Sequence, residues 1–150
     1  MPSYEASVSS AATPEAAWGV WIDVSGWIRS DAIESAEIDG EFRTGAIIKS
    51  KAKGFPRSTL KVTSVEAPSL WVDESRSPGM RMTFHHVIEP RERGTYLTER
   101  VVITGPLARL IGPLIRRKLE ALFAASVAHV ARAAEGAAAG RRIRPRRDDR

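Results

Sequence analysis

Between Met80 and Glu135 the hydrophobic period changes once, from two to about 3.6, and that change limits what the chain can become. MRMTFHHVIEP and TYLTERVVIT alternate as strands, and GPLARLIGPLIRRKLEALFAASVAHVARAAE follows at once as one long helical pattern. Two alternating strands around the short loop PRERG predict an antiparallel hairpin. Aligning the apolar faces across that loop pairs Ile88 with Leu97, Phe84 with Val101, and Met82 with Ile103. The same register sets His86 opposite Glu99. A histidine facing a carboxylate within an apolar sheet face is costly unless each satisfies the other or a third group. The pair therefore reads as the polar anchor of a cavity.

Upstream, Tyr4 to Ser10 alternates weakly and is expected to be a strand. Thr13 has the chemistry of an N-cap, Pro14 suits the first helical position, and Glu15 complements the N-terminal dipole. Trp18, Trp21 and Ile22 then share one face of a short helix that Gly26 ends, and a second short helical piece is expected near Trp27 to Ser30. Period two returns over Ile33–Ile38, 45–53, Ser58–Glu66 and 70–75. In the second of these, Ala46, Ile48, Ser50 and Ala52 take one face and Ile47, Lys49, Lys51 and Lys53 the other. Leu60 and Val62 are expected to point inward. A Ser77-Pro78-Gly79 turn should pair Ser75 with Met80, Glu74 with Arg81, and Trp71 with Phe84. A slip of two residues would change these partners but leave every face as it is.

Of the net charge of +5, the last ten residues RRIRPRRDDR carry +4, six Arg against two Asp. The remainder is nearly neutral, so the basic character belongs to an appendage. Residues 1–135 are read as a single domain and 136–150, which begins with the small-residue stretch GAAAG, as a basic, disordered tail. Weak contact of that tail with a membrane or other anionic surface is its functional reading, and a solvated end is the plainer one. Lys49, Lys51, Lys53 and Lys61 share the outer sheet face with Arg81 and Arg100, but no aromatic residues for base stacking are interleaved with them. Nucleic acid is therefore not an expected partner.

The chain has no Cys, which excludes disulfides, thiolate metal sites and cysteine nucleophiles, and it contains neither Asn nor Gln. No phosphate-binding glycine pattern and no H-E-x-x-H occurs, and adjacent His85 and His86 point to opposite faces of a strand. No cofactor and no metal is expected. MPSYEASVSS lacks the basic and apolar regions of a signal peptide, and no apolar run approaches the about 18 residues of a membrane span. The default expectation is a cytoplasmic domain.

The final helix explains the one-sided sheet. Leu107, Leu110, Ile111, Leu114, Ile115, Leu122, Phe123, Val127 and Val130 read as a broad apolar stripe. Gly112-Pro113 should bend the helix or delay its start. Ala121, Ala124, Ala125 and Ala128 keep part of it thin. Such a helix laid across a curved sheet leaves space, and that space is the expected ligand site. Leu60, Val62, Trp71, Asp73, Phe84, His86, Glu99, Val101, Leu122 and Phe123 are its candidate lining. His86 and Glu99 are the candidate acid/base pair, with Asp73 a second acid. Trp18, Trp21 and Trp27 are expected to pack the short helices onto the sheet mouth, with Trp27 at the entrance. Ser126 and His129 lie three apart on the last helix, but no nucleophile elbow accompanies them.

TPEAAWGVWIDVSGW, the Gly40 and Gly45 pair in DGEFRTG, and GTYLTERVVITGPLARLI, in the order strand, short helices, six strands, long helix, resemble the START-like superfamily, often called SRPBCC. Within it, the likeness is to the polyketide cyclase/dehydrase group, and it covers about residues 3–135. The resemblance implies an α+β helix-grip fold, a curved antiparallel sheet wrapped around a long C-terminal helix, with two short helices near the N-terminus. Members enclose apolar small molecules such as polyketides, sterols, lipids and plant hormones. Some cyclise or dehydrate them, many carry or sense them, and others are interaction modules. No shared catalytic triad exists, so no residue here inherits a role. The leading expectation is a binder of a small, largely apolar ligand. The rivals are a cyclase or dehydratase using His86 and Glu99, and a ligand-free module acting through the basic face and tail. Oligomeric state is left open.

Overall fold

The structure, a computed structural model, describes the backbone of residues 1–142 and the side chains of residues 1–137. The chain runs β1 (Ser3–Ser10), α1 (Pro14–Trp21), a 3-10 helix (Val24–Arg29), β2 (Ile33–Ile38), β3 (Ile47–Ala52), β4 (Ser58–Glu66), β5 (Leu70–Ser77), β6 (Met80–Arg91), β7 (Gly94–Thr104) and α2 (Ala108–Arg142). The seven strands form one curled antiparallel sheet in the order β1-β7-β6-β5-β4-β3-β2. The first two strands thus lie at opposite edges, and α1 with the 3-10 helix carries the chain between them.

Local chemistry starts α1 as the sequence implies. The Thr13 side chain accepts the Ala16 N–H at 3.2 Å, and Pro14 opens the helix. The β6–β7 register is also the one read from the apolar faces, with His86 opposite Glu99 and Phe84 opposite Val101. Its turn requires glycine: Gly94 has φ +138°, and a Cβ there would fall 2.0 Å from the Ser10 carbonyl oxygen. This close approach docks the β6–β7 turn on the end of β1.

The β5–β6 hairpin differs from expectation by the two-residue slip. Ser77 pairs with Met80 around a two-residue turn, so β5 runs two residues longer than expected. Glu74 meets Thr83, and Arg81 faces Arg76 instead. Trp71 lies opposite His86, and Asp73 opposite Phe84. The inward set is unchanged because the slip is even.

α2 packs on β1, β7 and α1 rather than over the whole sheet. Gly112 lets it approach Pro2 and Tyr4 closely. At the other end Glu135 accepts from the Ser10 hydroxyl at 3.0 Å and from the Ala11 N–H at 2.9 Å. The helix begins at Ala108, ahead of Gly112-Pro113, so the proline does not delay it. The Leu107 N–H bonds to the Gly79 carbonyl and the Ile111 N–H to the Leu107 carbonyl, which sets the first turn before Pro113 is reached.

The apolar stripe begins later than the periodicity suggests. Leu110 and Leu114 are 67% and 78% exposed, and Leu107 is exposed as well. Ile111, Ile115, Leu119, Leu122 and Phe123 form the inward face, and Leu119 is a member that the expected stripe omits. The three exposed leucines sit roughly a third of a turn away from that face. The helix continues through Gly136–Gly140, the expected start of the tail, and is described to Arg142. Residues 143–150, most of the expected basic tail, lie outside the described residues. Among the described residues no helix is long and apolar enough to cross a membrane.

Candidate functional site

Because α2 lies over β1 and β7, part of the inner face of β3–β6 is left facing open space. This space is a cavity of about 540 Å³, within the usual range for small-molecule sites. Its body is apolar: Phe84, Met82, Leu119, Leu122, Phe123 and Ile115 line it. Phe84 and Phe123 meet edge to face at 6.0 Å across the gap between sheet and helix. Arg57 and Arg76 are exposed members of the lining, on the β3–β4 loop and the β5–β6 hairpin. Asp73, His86 and Glu99 are buried members of it, from three adjacent strands.

The histidine is held on every side. Its ring stacks on Trp71, its cross-strand neighbour, with centroids 3.4 Å apart and planes 2° from parallel. Trp21 meets both rings edge-on, and Trp27 stacks on Trp71 at 6.0 Å. The Trp27 Nε1–H donates to the Trp21 carbonyl at 2.9 Å, which ties the 3-10 helix to α1. His86 Nδ1 lies 3.2 Å from the Trp71 carbonyl, and Nε2 lies 3.3 Å from Glu99 Oε1.

These contacts constrain where the protons can sit. A carbonyl only accepts, so Nδ1 carries a hydrogen and donates to it. Neutral His86 then has a bare Nε2, which would face a carboxylate oxygen, acceptor against acceptor. One further proton must lie between them. Burial lowers the His86 pKa, but the Glu99 hydrogen bond and charge, the Asp73 charge and the Trp71 carbonyl outweigh it, and the net is a rise. The rise favours the protonated ring, which lies on the Trp71 face.

Asp73 is the third member. Burial, the largest influence, pushes its pKa up to about 7; the His86 charge opposes this and the Glu99 charge adds to it. Its Oδ1 and Glu99 Oε2 are buried without a hydrogen-bond partner. Across the cavity, burial and then Arg132 and Arg29 lower the pKa of His129, so this second imidazole is neutral near pH 7. No group of three or more His, Asp or Glu side chains among the described residues is arranged to hold a metal ion.

Seven of the ten sequence candidates line the cavity: Leu60, Asp73, Phe84, His86, Glu99, Leu122 and Phe123. Three do not. Val62 is fully buried beneath it, opposite Asp73, in a cluster with Val24, Ala46 and Ile48. Val101 packs with Ile103 and Phe123, and Trp71 lies behind the His86 ring. An inward strand position guarantees burial, but the side chains beside it decide whether any cavity surface remains. Sequence reasoning missed Trp21 as lining, and also His129 and Ser126, which the periodicity of α2 does carry onto the inward face.

The arrangement matches known proteins. The model of the family "Polyketide cyclase / dehydrase and lipid transport" matches residues 1–135, and the chain belongs to that family. Among solved structures, it resembles the di-domain ARO/CYC StfQ from the steffimycin biosynthetic pathway, with TM-score 0.76 and 13% identity over 92% of this chain. The match covers 52% of StfQ, so the chain spans about half that protein's length. TTHA0849 from Thermus thermophilus gives TM-score 0.74 and 16% identity, covering 91% of this chain and 99% of that one. A Thalictrum norcoclaurine synthase mutant in complex with a transition-state analogue gives 0.71 and 16%, covering 91% and 95%. At these identities the likeness shows the fold. No curated protein is matched by sequence.

Proposed function

We propose that this domain binds a small, largely apolar molecule in the cavity between α2 and the sheet, with the His86–Glu99 pair orienting its polar end. The observation that carries this reading is the contrast within one space of about 540 Å³. Apolar side chains form its body, and its buried ionisable groups, Asp73, His86 and Glu99, stand on three adjacent strands. Burial of an apolar body supplies affinity, at about 25 cal/mol per Å² of surface, and a few fixed polar atoms supply orientation. Membership of a family that covers polyketide cyclases, dehydrases and lipid transport supports the same class of ligand.

Native mass spectrometry of the purified chain, compared with its denatured mass, tests the reading. The expected result is a discrete extra mass that leaves on denaturation, or one that appears when an apolar probe such as 2-naphthylethanol is added. A chain that stays bare in both cases overturns it.

A second reading, a polyketide cyclase or dehydratase, is favoured by the proton held on the pair. The proton shared by His86 and Glu99 can pass to a leaving hydroxyl, and the resulting base can take one from an enolisable carbon. His86→Ala separates the two readings. A binder loses affinity modestly, whereas an enzyme acting on a poly-β-ketone loses turnover with binding largely kept.

A further inference from the structure

The two unpartnered carboxyl oxygens say what the ligand's buried end must offer. Asp73 is 2% exposed and Glu99 8%, both line the cavity, and Asp73 Oδ1 and Glu99 Oε2 have no donor. The donor on the strand between them, His86, is already paired: Nδ1 lies against the Trp71 carbonyl and Nε2 against Glu99 Oε1. The other two unpartnered buried atoms, Trp71 Nε1 and Thr95 Oγ1, lie outside the lining. A buried acceptor left without a donor is costly to the folded state, and more so when charged.

We propose that the cavity selects an apolar molecule whose buried end carries hydrogen-bond donors, a hydroxyl or a protonated amine, received by Asp73 Oδ1 and Glu99 Oε2, and discriminates against one that ends in a carboxylate. This rests on the reading of the cavity as a ligand site and adds the chemistry of the head group. A third carboxylate beside these two would meet like charge in a desolvated place. An ammonium or hydroxyl supplies what both oxygens lack. The groups facing Asp73 are His86 on β6, Glu99 on β7 and, across the cavity, neutral His129 on α2; Arg57 and Arg76 are at the exposed part of the lining. Among the described residues, no cation other than the already paired His86 stands in the buried part of the lining to neutralise an acidic ligand.

The experiment uses three probes with one naphthyl body, 2-(2-naphthyl)ethylamine, 2-(2-naphthyl)ethanol and 2-naphthylacetate, titrated calorimetrically into the full chain at pH 6 and pH 8. At pH 8 the amine is expected to bind at least about tenfold tighter than the acetate, with the alcohol between them. Asp73 ionises near pH 7, so the amine should gain roughly tenfold from pH 6 to pH 8. Asp73→Asn keeps the shape and removes the charge. It should abolish that gain and improve acetate binding. If this variant does not fold, the wild-type pH series with the three probes decides alone. Acetate bound as tightly as amine at pH 8, or a ranking unchanged in Asp73→Asn, overturns the proposal while the cavity reading stands. Failure of all three probes to bind overturns both.

Discussion

The apolar body of the cavity and its buried polar cluster line one space, yet they serve the molecule in opposite ways. Phe84 and Phe123 meet across the space, and each is simply better off away from water. Asp73, His86 and Glu99 gain little from being inside. Two of their oxygens lack partners, and burial drives Asp73 toward its neutral form. The body holds the sheet and helix together, whereas the cluster is a cost to folding that is explicable by what it meets. A region that stabilises and a region that destabilises should respond to mutation with opposite signs.

The sharpest way to test this contrast is to cut into each region. Phe123→Ala removes a fully buried ring from α2 and should cost about 3–5 kcal/mol in urea denaturation. A loss below about 1 kcal/mol would mean that the cavity collapses around the gap and that the body is not the brace between helix and sheet.

Asp73→Asn should act the other way, and only at the right pH. The carboxyl is raised from 3.8 to about 7. Below pH 3.8 native and unfolded chains both hold the proton. Between 3.8 and about 7 only the native state does, so unfolding releases a proton and stability falls as pH rises. Above about 7 the loss is complete. The raised His86 contributes in the same direction, since its stabilisation fades as pH climbs through its folded value. Wild-type melting temperature is therefore expected to fall between pH 5 and pH 8. Asp73→Asn should flatten most of that slope and be more stable than wild type at pH 8, by on the order of 2–4 kcal/mol. A wild-type curve that rises over this range would remove the distinction between the two regions.

The smallest effect belongs to a stretch that only resembles the body. Leu110→Ser and Leu114→Ser replace exposed side chains and should each change stability by less than about 0.5 kcal/mol. A larger loss would move the first turns of α2 into the core.

Much of this contrast is legible in the residues. The β6–β7 register follows from matching apolar faces around a tight turn, and with it the meeting of His86 and Glu99. The Trp71–His86 stack and the Phe84 partner of Asp73 did not follow, because they depend on whether β5 ends at Ser75 or Ser77. Pro78-Gly79 marks a turn but does not say where pairing begins. Likewise Leu107, Leu110 and Leu114 continue a helical repeat as well as Ile111 and Ile115 do. Periodicity gives faces but not which face has a partner, and the close approach of Gly112 to Pro2 and Tyr4 makes that choice.

By itself the sequence determined the strand faces, the start of α1, the identity of the long helix and the inward direction of Asp73, His86 and Glu99. Each of these follows from side-chain periodicity or from contacts within a few residues. Only the tertiary structure decided that α2 lies over β1 and β7 and not over β3–β5. That placement leaves the cavity open, withholds Val62 and Val101 from its surface, and brings His129 to its wall. The reason is physical: local patterns specify which surfaces avoid water, while an empty volume is defined by where two such surfaces fail to meet.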